Sequence, residues 1–214
     1  FSLHAGPYKA WEDNSGKYPL RLFARQSVAK QVTPADWFNY TNRGLSFFEN
    51  YYGVDYPFRK YDQVLVPDFI YGAMENAAAI TFSEGGFLTN GEMNNSQRQR
   101  LASVIMHEMA HQWFGNLVTM KWWNGLWLNE SFANWMEGKI VTEIYPELRT
   151  EQGEIKSGHG VMTSDSYIAA RQIREPIKNN GDIQNAFDGI TYRKGGAVLN
   201  MFEKYLTKES FRKG

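Results

Sequence analysis

An α+β fold with two lobes is predicted by the order in which strand and helix signals run along these 214 residues. Strand signals cluster before about residue 95, and from about residue 96 onward the apolar residues recur at helical spacing. With 43% hydrophobic and 21% charged residues the composition is that of a globular, soluble chain, and no internal repeat or low-complexity linker divides it. The expectation is one domain over 1–214, with a β-rich lobe over about 1–95 and a helical lobe over about 96–214.

The elements follow in chain order. Leu20, Leu22 and Ala24 alternate with Arg21, Phe23 and Arg25 after the turn signal Asn14-Ser15-Gly16, which reads as a β-hairpin. Thr33-Pro34 with Asp36 opens a helix whose apolar positions Trp37, Tyr40, Gly44, Phe47, Phe48 and Tyr51 lead to Gly53. Tyr61–Val66 and Ala78–Phe82 are the clearest strands, the first stopped by Pro67 and the second introduced by Gly72–Asn76. From about Ser96 a helix carries Leu101, Val104, Ile105 and Met109 on one side, with Gly115 as its expected stop.

Beyond the loop Trp123–Gly125 a second helix holds Leu128, Phe132, Trp135, Met136 and Ile140. Pro146 opens a weaker helical stretch, because Gly153, Gly158 and Gly160 each cost about 1 kcal/mol in a helix interior. Val198, Leu199, Phe202, Tyr205 and Leu206 mark a final helix, and Ser210-Phe211 resemble the cap and first turn of another. The start on Phe1 and the stop at Gly214 suggest a piece of a longer protein.

Charge and cysteine content exclude several functions. Lys plus Arg equals Asp plus Glu at 23 each, so no long-range field favours nucleic acid or an anionic membrane surface. No stretch holds the ~18 apolar residues that cross a bilayer, and no signal-peptide pattern opens the chain. The absence of cysteine removes a thiol nucleophile and a disulfide framework, and leaves the compartment open.

The chemistry concentrates in His107-Glu108-Met109-Ala110-His111. Imidazoles at i and i+4 project from one helix face and reach one ion, while Glu108, one step round, sits where a base contacts a metal-bound water without being a ligand. A catalytic zinc takes three protein ligands and keeps a fourth position for water. Glu130 is the best third ligand, since eighteen residues separate it from His111 and a helix, a reversal and a second helix bring it opposite. His4 and His159 lack such neighbours and read as ordinary polar histidines.

With these runs in view, the chain resembles the gluzincin aminopeptidases, the family of aminopeptidase N and leukotriene hydrolase. The likeness rests on Gly72-Ala73-Met74-Glu75-Asn76, on His107 through Trp113 to Gly115-Asn116-Leu117-Val118-Thr119, on Glu130, and on Ile190-Thr191-Tyr192-Arg193-Lys194-Gly195. It implies a thermolysin-like catalytic domain, a mixed sheet in one lobe and helices in the other, with one zinc per chain bound between them by His107, His111 and Glu130. It implies catalysis by Glu108 and Tyr192, the tyrosine donating to the oxyanion, and substrate binding by Gly72, Ala73, Met74, Glu75 and Asn76. Glu75 would accept the terminal ammonium of a peptide with a free N-terminus, and a carboxylate fixed near the metal admits one extended residue, at most about 3.6 Å long.

Taken without the resemblance, Gly-Ala-Met is also a tight turn and Tyr192 also a packing residue. The rival functions are a thermolysin-type endopeptidase and a binding module that keeps the metal as a staple. Family members carry further N- and C-terminal domains, against which this chain would pack. Ala77-Ala78-Ala79 departs from the tryptophan and glycine that follow the Glu-Asn pair in many animal members, so side-chain preference stays open, as does any epoxide hydrolase activity.

Overall fold

Five strands hydrogen-bond into one mixed sheet with the order β1-β2-β3-β5-β4. The computed structural model describes residues 3–213, and the chain divides into two compact units, Phe1–Gln112 and Trp113–Gly214. The α+β expectation is met: the sheet lies in the first unit and the second is mainly helical.

In the first unit β1 (Tyr8–Asp13) and β2 (Leu20–Arg25) form the expected antiparallel hairpin, in register from Tyr8 opposite Arg25 to Asp13 opposite Leu20. The Asp13 carboxylate accepts from the Ser15 N–H at 2.9 Å and shapes the turn. Alternation decides the face of β2, where Leu20, Leu22 and Ala24 are fully buried. β3 (Tyr61–Val66) runs parallel to β2 and to β5 (Ala79–Ser83) and is buried along its whole length, as a central parallel strand must be. β4 (Ala73–Met74) pairs antiparallel with β5 and ends the sheet. The fifth strand starts one residue later than expected, because Ala78 takes a left-handed φ of 60° and belongs to the preceding turn.

Helix α1 (Pro34–Tyr52) starts at its proline and stops at Gly53, whose φ of 67° is the left-handed cap that glycine adopts without strain. Trp37 and Phe48 of α1 are buried, and each such ring contributes about 1.5–3 kcal/mol by burial. The short α2 (Glu84–Phe87) was not expected; Arg25 grips its Glu84 in a bidentate pair at 2.9 and 2.6 Å.

Helix α3 (Asn95–Ala110) opens with a capping box in which Asn94 and Gln97 exchange hydrogen bonds, and it packs on α1. Gly44 makes that packing close, since a Cβ there would stand 2.7 Å from the sulfur of Met106. The expected stop at Gly115 is a correction. The helix ends at Ala110 because the N–H of Gln112 bonds the Met109 carbonyl at 3.0 Å, tightening the last turn, and Gly115 instead shapes a loop at φ 140°. Because α3 shares the first unit with the sheet, compactness divides the chain at Gln112 while element type divides it near residue 95.

In the second unit a 3-10 turn at Trp123–Gly125 leads into α4 (Leu126–Ile144), whose Ala133, Met136, Ile140 and Val141 are fully buried. After a second 3-10 turn at Pro146–Leu148, α5 (Thr150–Asp165) completes sixteen residues despite its glycines. The short α6 (Asn180–Asn185) is held by an Asn179–Asp182 capping box. A π-helical turn, Ile190–Lys194, runs directly into α7 (Gly195–Leu206), and α8 (Lys208–Lys213) follows. The last helix begins before Ser210, because the Thr207 hydroxyl accepts from the Ser210 N–H at 3.4 Å and so serves as the cap. No helix among the described residues is long and apolar enough to cross a membrane.

Candidate metal centre

One helical turn presents both histidines. His107 lies in the last turn of α3 and His111 caps it, so their Nε2 atoms face each other at 3.1 Å with the rings 81° apart. His111 is only 1% exposed, and Glu108 is buried beside it. Burial, and after it the neighbouring Tyr56 and Glu108, push the Tyr61 hydroxyl well above its ordinary pKa.

The sheet edge brings the next group. The carbonyl of Gly72 accepts from the Ser83 N–H at 2.9 Å, and Ala73 and Met74 then pair with Phe82 and Thr81. Antiparallel alternation turns the N–H and C=O of Ala73 toward the outer side of β4, where an extended chain can add as a further strand. Met74 is exposed, and Asn76 is tied to the sheet by its amide, which donates to the Thr81 hydroxyl at 3.1 Å. Glu75, between them, puts its Oε1 4.0 Å from Nδ1 of His111. That distance is too long for a hydrogen bond.

In the second unit Glu130 lies on α4, 5% exposed. Its neighbour Ser131 donates to the Thr191 carbonyl, which fastens the π-helical turn carrying Tyr192 to the same helix. Gly195 permits this approach, because a Cβ there would stand 1.8 Å from the Ser131 hydroxyl oxygen. Asp188 supports the turn from below: its carboxylate accepts from the N–H of Ile190 at 2.9 Å and of Thr191 at 3.1 Å, and its carbonyl from the Tyr192 N–H at 3.1 Å. Arg171 locks Asp188 in turn, with Nε on one oxygen at 2.9 Å and Nη2 on the other at 2.5 Å, and adds a 2.6 Å bond to the Thr191 hydroxyl.

Among the described residues one group of side chains can hold a metal ion, and it is the expected one: candidate ligand atoms of His107, His111 and Glu130 all lie within 4.8 Å of one another. The donor set fits zinc. Two donors on one tetrahedral ion with bonds near 2.0–2.1 Å stand about 3.3 Å apart, close to the observed imidazole spacing, and two imidazoles with one carboxylate leave the fourth position open.

A Peptidase family M1 domain matches residues 37–214. The chain belongs to peptidase family M1. The M1 chain is 43% identical over 171 residues to the probable aminopeptidase 2 of Sulfurisphaera tokodaii, covering 79% of this chain and 22% of that protein. It is 43% identical to human endoplasmic reticulum aminopeptidase 2 over 79% of this chain and 18% of that protein. Against the mitochondrial aminopeptidase 2 of Saccharomyces cerevisiae it is 40% identical over 205 residues, 95% of this chain and 21% of the relative. The chain therefore spans about a fifth of the length of these curated relatives.

Three supporting residues of the M1 chain escaped the sequence reading. Asp188 had a visible signal, an acidic residue just before a helical turn. Ser131, next to the proposed ligand, and Arg171, seventeen residues before its partner, had none. Of the two histidines set aside, His159 is exposed on α5 and His4 is partly buried near β1, both outside the metal-binding group.

Proposed function

We propose that this M1 chain is the catalytic core of a zinc aminopeptidase that removes single residues from peptides with a free N-terminus. The observation that carries the reading is the Glu75 carboxylate on the sheet edge, 4.0 Å from a histidine of the metal-binding pair. An ammonium recognised so near the metal leaves room for one residue before the scissile bond, because an extended residue spans at most about 3.6 Å. The relatives, named aminopeptidases, support the same reading.

His107, His111 and Glu130 would hold the zinc, which when bound lowers the pKa of water and polarises a carbonyl. Glu75 accepts the substrate ammonium, a charge-assisted pairing that orients the peptide. The outer edge of Ala73 receives the substrate backbone as an added strand. Glu108 takes a proton from the attacking water and passes it to the leaving amine, so that one carboxylate serves as base and then as acid. The Tyr192 hydroxyl donates to the developing oxyanion.

The deciding experiment is hydrolysis by the zinc-loaded protein of one short peptide with a free and with an acetylated N-terminus. Stepwise release of single residues from the free form alone is the expected result. Equal internal cleavage of both forms would make the protein an endopeptidase, and metal and peptide binding without turnover would make it a binding module.

A further inference from the structure

Gln112 lies one residue past His111, is fully buried, and has hydrogen bonds to three separate backbone groups. Its Oε1 accepts from the Ala78 N–H at 3.2 Å, while its Nε2 donates to the carbonyls of Glu75 at 3.3 Å and Glu108 at 3.1 Å. The first two bonds grip both ends of the segment joining β4 to β5, and the third anchors the amide to the last turn of α3. Opposite polarities are needed at the two ends, and a neutral amide supplies an acceptor and a donor together.

The gripped segment is strained. Ala78 holds a left-handed φ of 60° in a turn closed by the Ala79 N–H on the Asn76 carbonyl at 2.9 Å. An L-residue with a Cβ adopts that conformation at a cost of about 1–2 kcal/mol, so it persists where neighbours hold it. The acceptor on the Ala78 N–H is such a neighbour, and without it a buried donor would lose its partner.

The consequence falls on Glu75. Its backbone is fastened to the helical turn that carries His107, Glu108 and His111, so the amine-binding carboxylate and the metal-binding pair are parts of one rigid piece. We propose that Gln112 is a positioning residue that sets the one-residue register of cleavage, by fixing the distance from Glu75 to the two histidines. This rests on the reading of Glu75 as the amine acceptor. A loosened segment lets the Glu75 carboxylate shift relative to the two histidines, so the substrate ammonium is held less firmly and at a less fixed distance from them.

The test compares Gln112→Glu, Gln112→Met, Glu75→Ala and the double variant Gln112→Glu/Glu75→Ala in the zinc-loaded protein, measuring zinc content, KM and kcat on a free-amine peptide, and product lengths. Gln112→Glu keeps the size and the acceptor for Ala78 and loses the donor to the carbonyls of Glu75 and Glu108. The expected result is full zinc content, a KM raised about 10-fold with a smaller change in kcat, dipeptides among the products, and no further loss when Gln112→Glu is added to Glu75→Ala. Unchanged KM and single-residue products in Gln112→Glu, with Glu75→Ala impaired, would overturn the inference about Gln112 alone. An unimpaired Glu75→Ala would overturn the reading of Glu75 itself. Hydrogen exchange on the unsubstituted protein tests the clamp independently of folding in the variants: the Ala78 amide should be as protected as the interior amides of α3, and rapid exchange would overturn the inference.

Discussion

Glu108 shares its helical turn with the two imidazoles of the candidate metal group, and the proposed function makes it a base and not a ligand. Glu108→Ala should abolish turnover while metal analysis still finds one zinc per chain; loss of the zinc would make Glu108 a ligand instead. Tyr192→Phe, which removes the proposed donor to the oxyanion, should lower kcat by roughly 100- to 1,000-fold with little change in KM, and steady-state kinetics will show it. Asp188 carries a pH signature. Burial alone would raise its pKa, but the Arg171 guanidinium and the N–H groups of Thr191 and Ile190 outweigh burial and hold it below the ordinary carboxylate value. A carboxyl depressed in the folded state contributes stability that is present above its unfolded pKa of about 3.9 and is lost as pH falls through the folded value. Asp188→Asn should therefore be less stable than the unsubstituted protein at neutral pH, and the gap should close below about pH 4 in acid-unfolding measurements.

Among the elements, the junction of the π-helical turn with α7 decides where Tyr192 stands. Ser131 of α4 bonds the Thr191 carbonyl, and Gly195 leaves space for that hydroxyl. Gly195→Ala would drive a methyl group into the Ser131 side chain, so α7 must shift off α4. The expected cost is that of overpacking, about 1–3 kcal/mol, read as a lower Tm, together with a fall in kcat larger than any change in KM. A variant as stable and active as the original would show that the turn tolerates displacement. π-turns inserted into helices recur at functional sites because the extra residue reorients side chains, and this one carries Tyr192.

For the molecule as a whole, the group that can hold a metal ion is His107, His111 and Glu130. Any ligand that binds the folded state alone stabilises it by mass action, by about 2.7 kcal/mol at a free concentration a hundred times its Kd. Chelation should thus lower Tm by several degrees, and added zinc should restore it in the unsubstituted protein but not in Glu130→Ala. A Tm indifferent to chelator would show that these three side chains do not hold the ion in the folded protein.

Local geometry made half of the site legible in the sequence. Two imidazoles four residues apart must share a helix face, so the metal-binding pair needed only a helix, and the apolar spacing of residues 101–109 supplied it. The hairpin, the long first helix and the central strand were legible for the same reason, since alternation, a proline start and a glycine stop act within a few residues. The helices α2 and α6 are too short to leave a periodic trace, and the end of α3 turned on a backbone hydrogen bond that no residue type announces. Contacts between distant residues were decided by the tertiary structure alone. The grip of Gln112 on Ala78 and the locking of Asp188 by Arg171 join groups far apart in the chain, whereas the nearness of Glu75 to His111 was expected through the family resemblance and not from spacing. Spacing constrains neighbours through covalent geometry, whereas these partners meet because strands and helices bury their apolar faces, and burial carries no record in the sequence of which polar groups it will bring together.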